Sequence, residues 1–422
     1  MTGSHITIVT FAWPPRNTVA VHRPYSWARY WSEAGAKVRV LTAKKYAYDA
    51  PLDLDLSPLS EVEVIEVDYA KWTRTLLEPL FSSQLKGPIR WLFRKIRRSS
   101  VQIRNPREAW FNAVEPMLEQ WAQDTDYVVS TYDPRSVHQI AAAMKKANPT
   151  LKWIADYRDP WSLNPLAEWT ASQREAERSI EFATVGCYAD LITSVSTDIA
   201  RQQGELLGKP WLTVTNGFDV DRNTVSEAVD AGLKIATRPL RIVYTGKIYP
   251  RLYDPSPLFR AIALLEAEGH VSKGDVQIHV YGDQVEGMEA ILRNGDYEHM
   301  LRLHGHVTRE RALLAQRKAD LLLLLGGSQP EVSGILTGKI FEYMATGVPI
   351  LSLGSRRESA IGKLLEQTRT GLCTEDRLDL ICDAILCRIE SKNLGWFTPD
   401  LSEILSYSRE NQAMKLLNAM VR

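Results

Sequence analysis

The chain has 422 residues, and its 51 Lys+Arg balance 51 Asp+Glu. Such a length suits two or three domains, and 45% apolar with 24% charged residues is an ordinary soluble composition. Zero net charge excludes a generally basic nucleic-acid binder.

Met1 to Trp13 has neither a basic n-region nor a small-residue cleavage site, so no signal peptide is expected. The longest leucine run, Leu321–Leu325, is far shorter than a membrane span. The expected location is cytoplasmic, or peripheral at the inner membrane face. Cys187, Cys373, Cys382 and Cys387 form no CxxC pair and read as free thiols in a reducing compartment. The histidines, His304 and His306 included, lack metal spacing, so neither a metal nor a cofactor is expected.

In chain order, Ile6–Phe11 reads as a strand broken by Trp13–Asn17. Pro24 suits the first turn of a helix that ends at Gly35. Val38–Leu41 is the next strand, which makes a βαβ opening. Strands are predicted at Val62–Val67, Tyr127–Ser130, Lys152–Ala155, Leu191–Val195 and Leu212–Thr215, with helices at Val137–Lys146 and Ser172–Phe182. The turn Asn216–Gly217–Phe218–Asp219 and the polar segment Val220–Arg238 mark a boundary. The alternation then restarts with strands at Arg241–Thr245, Gln277–Tyr281, Leu301–His304, Leu321–Leu325 and Ile350–Leu353. Helices are expected at Pro257–Glu268, Arg309–Ala319 and Gly338–Ala345. The fold class is α/β: two Rossmann-like domains, 1–216 and 217–395, facing across a cleft, and a helical tail, 396–422, with a C-terminal helix packing back on the first. Ten of the twelve Trp lie between Trp13 and Trp169. This implies different chemistries in the two halves, or an unusual core in one.

The sharpest motif runs from Glu331 to Pro349. Gly334 and Gly338 sit in a loop that leads into a helix with Thr337 as N-cap. Lys339 stands in the first turn, where a cation opposes the helix dipole. Glu342, one turn on, can accept hydrogen bonds from vicinal ribose hydroxyls. Two readings remain open on the motif alone: a phosphate-binding loop, or an ordinary βα connection with a surface Lys–Glu pair.

Glu342–Tyr–Met–Ala–Thr–Gly–Val–Pro–Ile350 resembles the ribose-binding half of the retaining family 4 glycosyltransferases of GT-B fold. In that family a second Glu lies eight residues earlier. This chain has Gly334 there, with Glu331 the nearest carboxylate. The resemblance makes Gly246–Lys247 and Arg251 the donor's diphosphate site, where cations stabilise the leaving group. It makes the segment from Phe11 onward the opening loop, with Arg16, Asn17, His22 and Arg23 facing the cleft or, for His22 and Arg23, capping the helix. Asp156–Tyr–Arg158–Asp159 falls where relatives carry His–Asp. Asp156 or Asp159 would orient an acceptor hydroxyl, or the cluster is a self-neutralising pair that holds a loop. The implied catalytic set is Asp156, Arg158, Asp159, Lys247 and Arg251.

Lys71 to Arg107 holds ten Lys/Arg and one acid, Glu78, a local charge of +9 within a neutral chain. Ile89, Leu92, Phe93 and Ile96 fall at helical spacing opposite Arg90, Arg94 and Arg97, with Trp91 in the run. Such a helix suits an anionic membrane surface, or a solvated basic face packed on its domain. The expected function is transfer of a sugar, with retention and without a metal, from a nucleotide diphosphate sugar to a saccharide or lipid-linked acceptor. Bacterial cell-surface polysaccharide or glycolipid assembly is the implied setting. The alternatives are a sugar-nucleotide 2-epimerase and a non-catalytic nucleotide-sugar-binding protein.

Overall fold

The computed structural model describes residues 3–69, 106–220, 222–232, 239–248, 253–282, 297–327, 334–390 and 394–421. The chain divides into two compact units, Met1–Thr215 with Gln412–Arg422, and Asn216–Asn411.

The first unit is built on β1 (His5–Thr10), β2 (Lys37–Ala43), β3 (Val62–Val67), β4 (Tyr127–Tyr132), β5 (Lys152–Tyr157), β6 (Leu191–Ser194) and β7 (Trp211–Thr213). They form one parallel sheet in the order β3-β2-β1-β4-β5-β6-β7, with Ile8 opposite Val40 on one side and Val129 on the other. The order reverses between β1 and β4, the usual ligand-binding position of a doubly wound sheet. Both faces are covered. Val9, Leu41, Val128 and Trp153 pack with Trp110 and Ile140 on one. Ile8, Val40, Val129 and Ile154 pack on the other with Trp27 and Trp31 of α1 (His22–Glu33) and with Leu416 and Leu417.

The tryptophan asymmetry is largely a property of this core, because Trp27, Trp31, Trp110, Trp153 and Trp161 are fully buried. Trp27 and Trp31, one helical turn apart, stack with centroids 5.7 Å apart, and Trp31 Nε1 donates to the Ala413 carbonyl at 2.9 Å. Trp153 Nε1 donates to Ser130 Oγ, and Trp161 Nε1 to Glu177. These three buried indole N–H groups have acceptors, as burial of a polar group favours, whereas Trp110 Nε1 is buried without one.

The second unit is built on β8 (Leu240–Thr245), β9 (Val276–Tyr281), β10 (Leu301–Leu303), β11 (Leu321–Leu325), β12 (Ile350–Leu353) and β13 (Gly371–Cys373). The parallel order is β10-β9-β8-β11-β12-β13, which puts the reversal between β8 and β11. The leucine run explains itself here. Leu321, Leu323 and Leu325 join one face's core, and Leu322 and Leu324 the other's. A parallel strand covered on both sides reads as a continuous apolar run.

One expectation needs adjustment. The segment Val220–Arg238, read as polar, contains a helix, α2 (Arg222–Gly232), anchored by buried Val225. It rests on the Thr346–Gly347 turn, where a Cβ on Gly347 (φ +67°) would lie 2.1 Å from the Ala228 carbonyl oxygen. Of the tail, Leu401, Ile404 and Tyr407 pack in the second unit. Only Gln412–Arg422 belongs to the first.

Candidate functional site

The loop after β8 lies at the strand-order reversal of the second unit. Gly246 has φ +123°, and its N–H donates to the Tyr281 carbonyl at 2.7 Å. A Cβ on Gly246 would meet Lys339 Nζ at 2.7 Å and Cε at 2.9 Å. Lys339 comes from α3 (Gly338–Met344), the helix following β11. Its Nζ donates to Tyr244 Oη at 2.9 Å and lies 4.1 Å from the centre of that ring. The Tyr244 hydroxyl donates to the Lys247 carbonyl at 2.9 Å. The sequence motif thus brings Lys339, Gly246 and Lys247 together, with Tyr244 as the link. Among the described residues no carboxylate lies within ion-pair distance of Lys339, and burial pushes its ammonium down to about 7, opposed by the charge of Glu342.

Glu342 is half-buried on the same helix and accepts from Arg309 Nη2 at 2.8 Å. The next residue, Tyr343, is buried and accepts the Thr245 amide at 3.0 Å, which fixes the helix to the end of β8. Thr337 has the extended backbone of an N-cap but makes no side-chain capping bond, and its Oγ1 is buried without a partner. It lines a pocket with Gly326, Gly327, Ser355 and Ser359 at the ends of β11 and β12. Gly334, in the position of the family's second Glu, is half-buried beside it.

A further cluster lies at the ends of β9 and β10. Tyr281 and His304 stack at 4.1 Å with planes 4° apart. His279 Nδ1 is 3.0 Å from His304 Nε2, and burial lowers the pKa of both rings, that of His279 to about 4. The sequence ends a strand at His304 and gives it no metal spacing. Strand alternation gives His279 no visible link to it, since their contact depends on the β9–β10 register.

The first unit treats its predicted residues differently. Asp156 is fully buried near the end of β5. Arg23 holds it with two bonds, Nε to Oδ2 at 3.0 Å and Nη2 to Oδ1 at 2.6 Å. Thr131 and Thr193 donate to the same oxygens at 2.8 and 2.7 Å. Arg23 Nη1 donates to the Thr215 carbonyl, and the guanidinium lies 4.7 Å from the Trp27 ring centre. The carboxylate therefore has neither exposed surface nor an unused lone pair, and it cannot orient an acceptor hydroxyl. Arg23 spends its guanidinium inside the first unit rather than on the start of α1. Both expectations are corrected to an internal ion pair joining α1 to β4, β5 and β6.

Arg158 and Asp159 pair with each other, Nη2 to Oδ2 at 2.5 Å. This is the self-neutralising arrangement, with Asp159 exposed. Arg16 is buried, paired with Asp49, and lies 5.0 Å from the Phe11 ring centre. Burial and nearby Arg107 lower its pKa to about 10. Asn17 is exposed and donates to Asp53 at 3.0 Å. His22 is half-buried, and its carbonyl accepts from Ser26 Oγ. Arg251, Glu331 and the membrane candidates Arg90, Trp91, Phe93, Arg94 and Arg97 lie outside the described residues. Among the described residues no group of three or more His, Cys, Asp and Glu could hold a metal ion, and no helix is long and apolar enough to cross a membrane.

No family model matches the chain, and no curated protein matches it. Solved structures do. HepE from Anabaena, in complex with UDP and glucose, is 13% identical with a TM-score of 0.56, covering 99% of both chains. WaaG, a glycosyltransferase involved in lipopolysaccharide biosynthesis, is 13% identical with a TM-score of 0.58, covering 98% of this chain and 99% of its own. The UDP-forming α,α-trehalose-phosphate synthase of Burkholderia vietnamiensis is 12% identical with a TM-score of 0.60, covering 99% of both. The chain has the GT-B fold of these structures.

Proposed function

We propose that the protein is a glycosyltransferase. It holds a nucleoside diphosphate sugar at the ends of β8 and β11 and passes the sugar to a saccharide or lipid-linked acceptor. One observation carries this reading: the Lys339 ammonium, set over bare Gly246 with a tyrosine hydroxyl for its partner and, among the described residues, no carboxylate in ion-pair distance. A diphosphate is the complementary ligand. As the glycosidic bond breaks, charge builds on the leaving phosphate, and cations already in place stabilise it without reorganising. Lys247 and Arg251 serve the same charge in this reading. Glu342 exchanges Arg309 for the ribose hydroxyls, and the pocket beside Gly334 and Thr337 takes part of the donor. Acceptor contacts come from the first unit.

Retention, independence from metals, and a role in bacterial cell-surface polysaccharide or glycolipid assembly extend the proposal through the Glu342–Ile350 resemblance. The basic segment adds an anionic membrane surface on the cytoplasmic side. The test begins with a panel of nucleoside diphosphates, UDP first because HepE binds it and the trehalose-phosphate synthase releases it. Release of that nucleotide from its sugar donor is then measured with an acceptor panel, with and without a chelator. Transfer that survives chelation and is lost in Lys247→Ala and Glu342→Ala is the expected result. Flotation on anionic liposomes, with charge reversal over 86–98, tests the membrane element, and indifference to the liposomes removes it.

Gly334 in place of the family's Glu and Arg158 in place of its His favour a second reading, a non-catalytic nucleotide-sugar binder. Tight nucleotide binding with no transfer to any acceptor would select it. An epimerised sugar formed without acceptor would select the epimerase.

A further inference from the structure

We infer that Tyr244 is a positioning residue: its hydroxyl holds the Lys339 ammonium over Gly246, so that the donor's diphosphate completes an ion pair that the described residues leave open. The inference rests on the donor-site reading above and goes beyond it in naming the residue that aims the charge and the proton that accompanies binding.

An ammonium carries three N–H donors. The described residues offer that of Lys339 one hydrogen-bond acceptor, the Tyr244 hydroxyl at 2.9 Å. That hydroxyl spends its own proton on the Lys247 carbonyl at 2.9 Å. One buried phenol therefore holds the side chain of one basic residue and the backbone of another. Tyr244 is 1% exposed in β8, so its ring cannot swing away without opening the core. Below the ammonium, Gly246 supplies room: the Cβ of any other residue would stand 2.7 Å from Nζ, in a backbone conformation that L residues rarely adopt.

The groups facing the ammonium leave its charge unbalanced. From β8 comes the neutral Tyr244, which the following loop holds through the Lys247 carbonyl. From its own helix comes Glu342, already engaged by Arg309, and Tyr343, which is turned to Thr245. A low-dielectric site that holds a cation without its counter-ion favours the neutral amine. A bound diphosphate reverses this preference, so binding near neutral pH takes up a proton. Because the protonated amine is the binding form, affinity falls as pH rises above about 7.

The experiment is calorimetric titration of the full chain with the tightest-binding member of UDP, GDP, ADP, CDP and dTDP. It is run from pH 7.5 to 9, where a terminal phosphate with a pKa of about 6 is fully ionised. Two buffers of different ionisation heat report proton uptake. Wild-type protein is expected to take up a fraction of a proton at pH 7.5 and to bind on the order of tenfold more weakly at pH 9. In Lys339→Met both signals vanish, while Lys339→Arg binds with no pH dependence over this range, since a guanidinium stays charged. In Tyr244→Phe, which retains the ring, affinity falls on the order of tenfold and the pH profile shifts, with thermal unfolding close to wild type. A Tyr244→Phe protein with wild-type affinity and pH profile overturns the role of Tyr244 alone. Wild-type affinity in Lys339→Met removes Lys339 from the site and this inference with it. If no nucleoside diphosphate binds the wild-type protein, the donor-site reading and the inference fall together.

Discussion

Each unit carries a charge set back from solvent near the C-terminal end of its parallel sheet, Asp156 fully buried and Lys339 half-buried, and the two are finished differently. In the first, Asp156 accepts four side-chain hydrogen bonds, two from one guanidinium and one from each of two threonines. In the second, Lys339 meets a tyrosine hydroxyl and, among the described residues, no carboxylate in ion-pair distance. Both positions lie at the carboxyl end of a parallel sheet, the side on which such sheets bind ligands. The local chemistry separates them. A charge whose partners are all internal is part of the framework, and a charge left with an open partner is where a ligand can contribute energy.

The comparison can be broken most directly at Asp156. Asp156→Ala strands the Arg23 guanidinium in the core and is expected to cost about 3–5 kcal/mol of stability. Denaturant unfolding measures it, and a loss below about 1 kcal/mol would show that Arg23 has an alternative partner. Lys339→Ala is expected to do the opposite. Folding stability stays level or rises, because a desolvated cation is removed. Nucleoside diphosphate affinity drops by about 2 kcal/mol, the scale of a hydrogen bond to a charged group.

Glu181 sharpens the contrast with a third case, a buried carboxyl held by the Ser162 amide and Gln203. Burial raises its pKa above the usual range, so the folded state retains the proton more strongly than the unfolded chain. Its contribution is present below the unfolded carboxyl pKa and is lost as pH rises through the folded value. Glu181→Gln is expected to flatten that dependence and to gain about 1 kcal/mol at neutral pH. Stability against pH, measured on both proteins, decides it. The smallest effect is expected at the surface: Arg158→Ala, which breaks a pair with exposed Asp159, should change stability by less than about 1 kcal/mol.

How far the sequence could be read depends on what each residue's neighbours had to be. Leu321–Leu325, Val62–Val67 and Ile350–Leu353 were placed at their true bounds, since β-rich apolar runs between turns leave little choice. The helix Arg222–Gly232 was missed because its anchor is little more than Val225, which gives no helical period. The site shows the same divide. Lys339 and Glu342 are legible in their local spacing, and Gly246 through the family resemblance. Tyr244 carried no local signal, because it matters only where β8 and the helix after β11 meet. Arg23 and Asp156 were both singled out, yet as two functional groups rather than as each other's partner. A contact between residues 133 positions apart leaves no trace in spacing. The tryptophans were ambiguous for a related reason: an aromatic-rich stretch reads alike whether its rings face a ligand or, like Trp27 and Trp153, each other's core.

The packing of the last helix sets an order of events during synthesis. Trp31 finds its indole acceptor at Ala413, 382 residues later, and Leu416 and Leu417 close the face over Trp27. When the first unit has left the ribosome, that face is still uncovered, and it stays so while the whole second unit is made. A chain stalled before residue 412 would carry two stacked, uncovered indoles. Such a chain would present an apolar patch to chaperones and to other copies of itself. Folding of the first unit is therefore completed last, although its residues are made first.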